Sequence, residues 1–368
     1  MMVMIFVLLG IVAALDIAIL LKLHQAFQRT RFPKEHPAKL NELPTVSVCI
    51  TARNENHAMT QCLERVVASD YPKLEVIVLD DGSYDDTSLL IKSFAYAGVR
   101  FIEGKPLPEG WLGKNYAQSL LANEASGEIV LFMDVDTLIE RHTVMRLVSY
   151  MQQRQVQMVS AIPLRNHRWE LSTLMTTMRY FWILMRFSPN YPRAASNVWL
   201  IKRELLLEQL ETDTSLPLSM LMETTIARKL AAKRHYRLVL SNDWLGIRYE
   251  KKWSSQLETS IRLLYPQCHT SLAQVAGLVL LLAITLVPYV AWWWQLWALV
   301  LIVMQYVVGY YYLSHIWQRY RFIGAVLVPV TIVQEIILLI VSAYKYKTGT
   351  VTWKGRPLKA VKSSANET

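Results

Sequence analysis

The chain has 368 residues and a formal net charge of +10; 53% of it is hydrophobic, with a mean hydropathy of +0.21. That apolar content exceeds what a soluble domain needs and points to a membrane protein with room for one soluble domain of ordinary size. The basic excess comes with no zinc-finger spacing and no basic strip bearing stacking aromatics, which excludes nucleic acid as the expected partner.

Residues 1–21 are apolar, broken only by Asp16. No basic stretch precedes the run and no small-residue cleavage site follows it, so residues 1–22 are expected to be an uncleaved membrane anchor rather than a signal peptide. Lys22, Arg29, Arg31, Lys34 and Lys39 come next. The positive-inside tendency puts them, and the domain that follows, on the cytoplasmic side of the cell membrane.

Residues 44–268 change pattern. Apolar strands are expected at 46–50, 74–79, 99–102, 128–133 and 156–160, with helical spacing at 59–67, 87–94 and 114–124. Strands alternating with helices of about 10–15 residues predict an α/β domain with a mostly parallel sheet. Such sheets bind ligands beyond the carboxyl ends of their strands. Within this segment, residues 167–187 include Trp169, Leu174, Met178, Phe181, Trp182 and Met185, too apolar for a plain exposed helix. They suit either a helix at the membrane interface, where a lipid could enter, or a buried core helix.

A C-terminal membrane region is expected at 271–346. Its first apolar run, 272–313, is long enough for two spans, joined near Pro288, Tyr289 and the Trp292-Trp293-Trp294 aromatics that suit a membrane–water boundary. Pro329, Gln334 and Glu335 interrupt the second run, 323–344, so the region is expected to hold two to three spans: this run is either a third span or, the favoured reading, a re-entrant or interfacial segment that returns the basic tail, 347–368, to the cytoplasm. Basic flanks of this kind suit anionic lipid head groups. Cys49, Cys62 and Cys268 lack metal spacing and are expected as reduced, buried thiols.

Polar clusters stand at three strand ends. Asp134-Val135-Asp136 closes the apolar run at 128–133. In an extended segment alternate residues project to one side, so both carboxylates can face one ion. A hard divalent cation on a diphosphate needs only one or two carboxylates, with waters and phosphate oxygens completing its shell. A solvated strand end is the plain alternative. Asp80-Asp81-Gly82-Ser83 closes the second strand; Asp can accept hydrogen bonds from ribose hydroxyls or a base imide, and Gly82 allows a tight turn. Asp85 and Asp86 read better as caps of the next helix. Neither Gly-x-Gly-x-x-Gly nor a Walker loop is present, so dinucleotide and P-loop chemistries lose their usual support.

These clusters, with Val46-Ser47-Val48-Cys49-Ile50-Thr51-Ala52-Arg53-Asn54-Glu55 and Gly110-Trp111-Leu112-Gly113-Lys114-Asn115, resemble the family 2 glycosyltransferases. More narrowly they look like the membrane-anchored branch acting on lipid acceptors, such as ceramide, hopanoid-associated and carotenoid-type glycosyltransferases. The resemblance implies a GT-A fold, a nucleotide-sugar donor (a UDP-sugar) and Mg²⁺ or Mn²⁺. It implies that Ala52, Arg53 and Glu55 line the nucleotide pocket, that Asp80 or Asp81 holds uracil or ribose, and that Lys114 approaches the diphosphate. Asp134 and Asp136 would hold the cation.

In that family the base is usually the Asp of a Glu-Asp pair opening a helix. Here Met222-Glu223-Thr224-Thr225 puts Glu223 in its place and Met222 in place of the partner acid. The alternative for Glu223 is a helix-surface acid paired with a nearby Lys or Arg. Arg248, Trp253 and Arg262 lie where relatives carry residues near the donor diphosphate and the acceptor entrance; Arg248 and Arg262 could equally meet membrane phosphates. The Gln-x-x-Arg-Trp signature of processive polysaccharide synthases is absent, Gln256-Leu257-Glu258-Thr259 being no match, so single transfer is favoured. The lost Glu-Asp pair leaves a non-catalytic nucleotide-sugar-binding membrane protein as the other alternative. The expectation is an inverting enzyme that moves a sugar from a nucleotide sugar to a hydroxyl or carboxyl of a membrane lipid.

Overall fold

The computed structural model describes residues 2–34, 42–165, 177–188 and 191–357, which fall into two units. One unit is Gln28–Asn166 with Arg186–Glu250. Its strands, in chain order, are β1 (Val46–Ala52), β2 (Leu74–Asp80), β3 (Val99–Glu103), β4 (Ile129–Asp134), β5 (Thr137–Ile139), β6 (Met158–Ile162), β7 (Leu164–Arg165), β8 (Val198–Lys202), β9 (Tyr236–Leu240) and β10 (Ile247–Tyr249). Seven of them form one sheet in the order β3-β2-β1-β4-β8-β6-β9, and β5-β10-β7 form a second, smaller one. Every neighbour pair in the large sheet is parallel except the two made by β8, which runs antiparallel to β4 and β6.

The core follows from the side-chain pattern. β4 and β6 are buried along almost their whole length, as expected of strands covered on both faces. Helix Asn56–Val67 buries Met59, Cys62, Leu63 and Val66, one stripe at helical spacing, and Thr143–Gln153 buries Val144, Leu147, Val148 and Met151 in the same way. Each such side chain contributes roughly 1.5–3 kcal/mol on burial. A Cβ on Gly127 would lie 2.6 Å from the backbone nitrogen of Ser47, so only glycine lets the turn into β4 pass β1. The strand expected at 156–160 begins instead at Met158, because the Gln157 and Met158 amides both turn to the His235 carbonyl and pairing with β9 starts there.

The other unit is Met1–Phe27, His167–Met185 and Lys251–Thr368. Four helices among the described residues are long and apolar enough to cross a membrane: Val3–Thr30, Leu272–Ala291, Trp297–Ile316 and Val328–Lys347. The break expected at Pro329, Gln334 and Glu335 is not found in the last. Val328–Lys347 is one unbroken helix of 20 residues, with Pro329 in its first turn, where the missing N–H is not needed. Glu335 is buried and accepts a 2.7 Å hydrogen bond from Trp182 Nε1, which accounts for an acid in an apolar helix. Of the apolar stretch 167–187, residues 167–176, with Trp169 and Leu174, lie outside the described residues. Helix Thr177–Met185 follows, and its Trp182 packs on the core of Leu282, Ile332 and Leu338. Helix Trp253–Gln267 belongs to this unit as well. All three cysteines are buried free thiols.

Candidate active site

Strand register sets three carboxyl ends side by side: Ala52 opposite Asp80, and Thr51 opposite Asp134. At the first of these edges the polar residues tie two loops together. Arg53 Nη1 donates to the Asp81 carbonyl and, at 3.1 Å, to that of Gly82. Asn54, with φ of 53°, donates its amide to Ser83 Oγ at 2.9 Å and accepts from the Tyr84 amide at 3.1 Å. Gly82 takes φ of 69°, the left-handed turn that glycine adopts most readily.

Asp80 is 4% exposed, and both its carboxylate oxygens are engaged: Oδ1 accepts from the Ser83 amide and hydroxyl, Oδ2 from the Ser88 hydroxyl. Asp80 therefore fixes the turn that presents Asp81. Asp85 is a capping acid, accepting from the Thr87 amide and hydroxyl and from the Asn56 amide. Burial alone would raise its pKa; the hydrogen bonds from Thr87 and Asn56 outweigh it and hold the carboxyl below the usual range. Glu55 ends the segment, its amide donating to Thr87 Oγ1 at 2.8 Å.

At the end of β4 the structure departs from the extended Asp-x-Asp geometry. Val135 and Asp136 form a turn between β4 and β5, so strand alternation does not bring the two acids together. What they share is surroundings. The Cys62 thiol is pushed up first by burial and then by the charges of Asp136, Glu55 and Asp134, so all three acids act on one buried sulfur. Lys114, on helix Gly113–Glu124, places Nζ 2.6 Å from Asp134 Oδ1 and 3.5 Å from the Ser196 carbonyl. Asp136 is 7% exposed. Among the described residues no three His, Cys, Asp or Glu side chains gather to hold a metal on their own. Two carboxylates at a strand end do fit a hard divalent cation whose remaining oxygens come from a diphosphate.

Glu223 opens helix Met222–Ala232, where a carboxylate is favoured by the helix dipole, and at 4% exposure it is no surface ion-pair residue. The strand-leading segment 194–197 links its helix to the β4 end at Asp134. Ala194 donates its amide to Thr224 Oγ1, Ser196 lends its carbonyl to Lys114, and the Asn197 carbonyl accepts from the Asp134 amide. Three residues span at most about 11 Å, so the Glu223 helix, through Thr224, and Asp134 attach to the same short stretch of chain.

Asn115, given no role from the sequence, ties Lys114 to the loop before Glu223. Its amide nitrogen stands 2.8–3.1 Å from the carbonyl oxygens of Leu216, Pro217 and Ser219. Asn115→Leu should lower stability by about 1–3 kcal/mol and reduce turnover, checked by thermal melts and initial rates on the detergent-solubilised chain.

The sequence also pointed to Arg248, Trp253 and Arg262. Arg248 gives its guanidinium to Asp243, at 2.8 Å, and Glu140, at 3.5 Å. Trp253 and Arg262 belong to the unit of apolar helices, where Arg262 lies over the Trp353 ring at 4.8 Å.

Residues 47–206 match the family model for Glycosyl transferase family 2; Glu223 lies beyond the matched segment. The protein named "Probable glycosyltransferase YdaM" of Bacillus subtilis (strain 168) is 35% identical over 113 residues, which is 30% of this chain and 27% of that protein. An N-acetylglucosaminyltransferase of Bradyrhizobium elkanii is 36% identical over 119 residues, 31% of this chain and 63% of that one. The chain thus covers less than two thirds of the length of either relative. The mannosyltransferase PcManGT from Pyrobaculum calidifontis, solved in complex with GDP-Man and Mn²⁺, superposes with a TM-score of 0.56 at 20% identity, over 93% of this chain and 98% of that one. The fold is GT-A-like, an α/β domain with a mostly parallel sheet.

Proposed function

We propose that this chain, which carries a family 2 glycosyltransferase domain at 47–206, is a membrane-bound inverting glycosyltransferase moving a sugar from a nucleotide sugar to a membrane lipid. The observation that supports the reading best is the attachment of Lys114, Asp134 and the Glu223 helix to one backbone segment, 194–197. Glu223 accepts the proton of the acceptor hydroxyl as that oxygen attacks the anomeric carbon. The bond from that carbon to the diphosphate oxygen breaks, and Lys114 offsets the charge that develops there. A single displacement of this kind turns an α-linked donor into a β-linked product.

Asp81 is the residue proposed to meet uracil or ribose, since Asp80 fixes the turn beneath it. Ala52, Arg53 and Glu55 shape the same pocket. Asp134 and Asp136 would hold Mg²⁺ or Mn²⁺, which when bound adds further charge compensation on the leaving diphosphate. The donor proposed is a UDP-sugar.

The lipid acceptor is supported by the unit of apolar helices. That unit carries an open-sided cavity of about 510 Å³ whose lining includes Leu15, Ile19, Phe181, Leu282 and Val308. An apolar cavity among helices able to cross a membrane suits an alkyl or isoprenoid chain. Trp253 and Arg262 are proposed near the acceptor entrance, and the catalytic unit is proposed to face the cytoplasm.

The test is to incubate the full-length protein in lipid nanodiscs with labelled UDP-sugars and a lipid extract. Mass spectrometry should show lipids carrying one added sugar. A polymer would instead favour a processive synthase, and neither transfer nor hydrolysis of donor would leave a binding protein without catalysis.

A further inference from the structure

Two arginines meet on one ring in the unit that carries Glu223. Arg228 stands on the Glu223 helix, its guanidinium carbon 4.1 Å from the ring centroid of Tyr191. The guanidinium of Arg193 lies 5.6 Å from the same ring. The tyrosine thus serves two cations, an arrangement planar guanidiniums tolerate better than ammonium groups. Burial, and then the charges of Arg228 and Arg186, pull Arg193 down to about 10, which leaves it charged at neutral pH.

A cluster of this kind ordinarily recruits carboxylates. Among the described residues neither Arg193 nor Arg228 forms an ion pair, and the Nε of each is buried without a hydrogen-bond acceptor. Like charges in a half-buried site repel, and an anion would relieve that repulsion. Guanidinium forks match the oxygens of phosphate and carboxylate in particular.

The place of the cluster narrows the ligand. The Arg193 carbonyl accepts from Tyr236 Oη at 2.7 Å, and the next residue, Ala194, binds Thr224 beside Glu223. Burial first, and then the charge of Glu223, pushes the Tyr236 phenol up, so Glu223 also acts on this spot. From Arg193 to Asn197, which binds Asp134, the chain can span at most about 14 Å.

We propose that Arg193 and Arg228 bind an anionic group of the acceptor, a phosphate or a carboxylate, and so hold its reacting hydroxyl toward Glu223. The assignment to the acceptor rests on the transferase reading; the anion site itself does not. The donor diphosphate is the other source of the same chemistry.

The test titrates the full-length protein in neutral detergent with inorganic phosphate at constant ionic strength, alone and with saturating UDP and Mn²⁺. Phosphate should bind under both conditions, and about tenfold or more weaker in Arg193→Gln and in Arg228→Gln, while UDP affinity stays within about twofold. Should Arg193→Gln fail to fold, Arg228→Gln, on a helix whose Arg228 is only half-buried, carries the comparison. Phosphate affinity unchanged in the variants, or absent in the wild type, overturns the proposal. Phosphate binding lost once UDP is present also overturns it, giving the cluster to the donor. Failure of the transferase reading looks different: the wild type binds no UDP while the phosphate isotherm persists.

Discussion

Glu223→Gln is expected to slow transfer by about 10²–10⁴-fold while UDP affinity and melting temperature stay close to wild type. Glutamine keeps the size and polarity of the side chain at a position only 4% exposed, so packing is preserved and the proton acceptor alone is lost. Met222 beside it is 1% exposed and packs as a core residue, so no neighbouring acid on the helix can take over. The measurements are turnover of labelled donor under saturating conditions and an equilibrium UDP isotherm on the same preparation. Retained turnover with normal UDP binding would take Glu223 out of the base role.

Asp136→Ala is expected to lower turnover by about 10²–10³-fold and to weaken UDP binding only when Mn²⁺ is present. Asp136 is 7% exposed in the turn between β4 and β5, and its backbone carbonyl holds the Glu250 amide at 2.9 Å, a contact the substitution leaves in place. UDP isotherms with and without Mn²⁺ separate the outcomes. Equal losses in both conditions would mean a contact to the nucleotide rather than to the cation.

The parallel part of the sheet was legible because β1, β2 and β4 are apolar runs ending abruptly in polar turns, a contrast that hydrophobic patterning reports directly. The reversed direction of β8 was not legible, since a buried strand reads the same in either orientation. Asp134-Val135-Asp136 illustrates a subtler limit. The acids were visible, but the turn at Val135 and Asp136 carries neither Gly nor Pro to announce it. Asp80 and Asp81 looked equivalent in sequence; only the positions of Ser83 and Ser88 distinguish the buttress from the presenting residue.

The site's main junction was hidden for another reason. Residues 194–197 join it mostly through backbone atoms, which every residue possesses and no sequence pattern singles out. The same holds for the arginines. Arg193 is far from Arg228 along the chain, and their common ring, Tyr191, is an ordinary surface aromatic until the fold brings Arg228 onto it.

Lys114 resting 2.6 Å from Asp134 means that one of the two carboxylates already has a counter-charge before any substrate arrives. If Asp134 holds the cation as proposed, manganese alone must compete with that ammonium, whereas a diphosphate draws the lysine toward itself and brings oxygens of its own. Ion and nucleotide should therefore load synergistically, each raising the affinity for the other by the same factor.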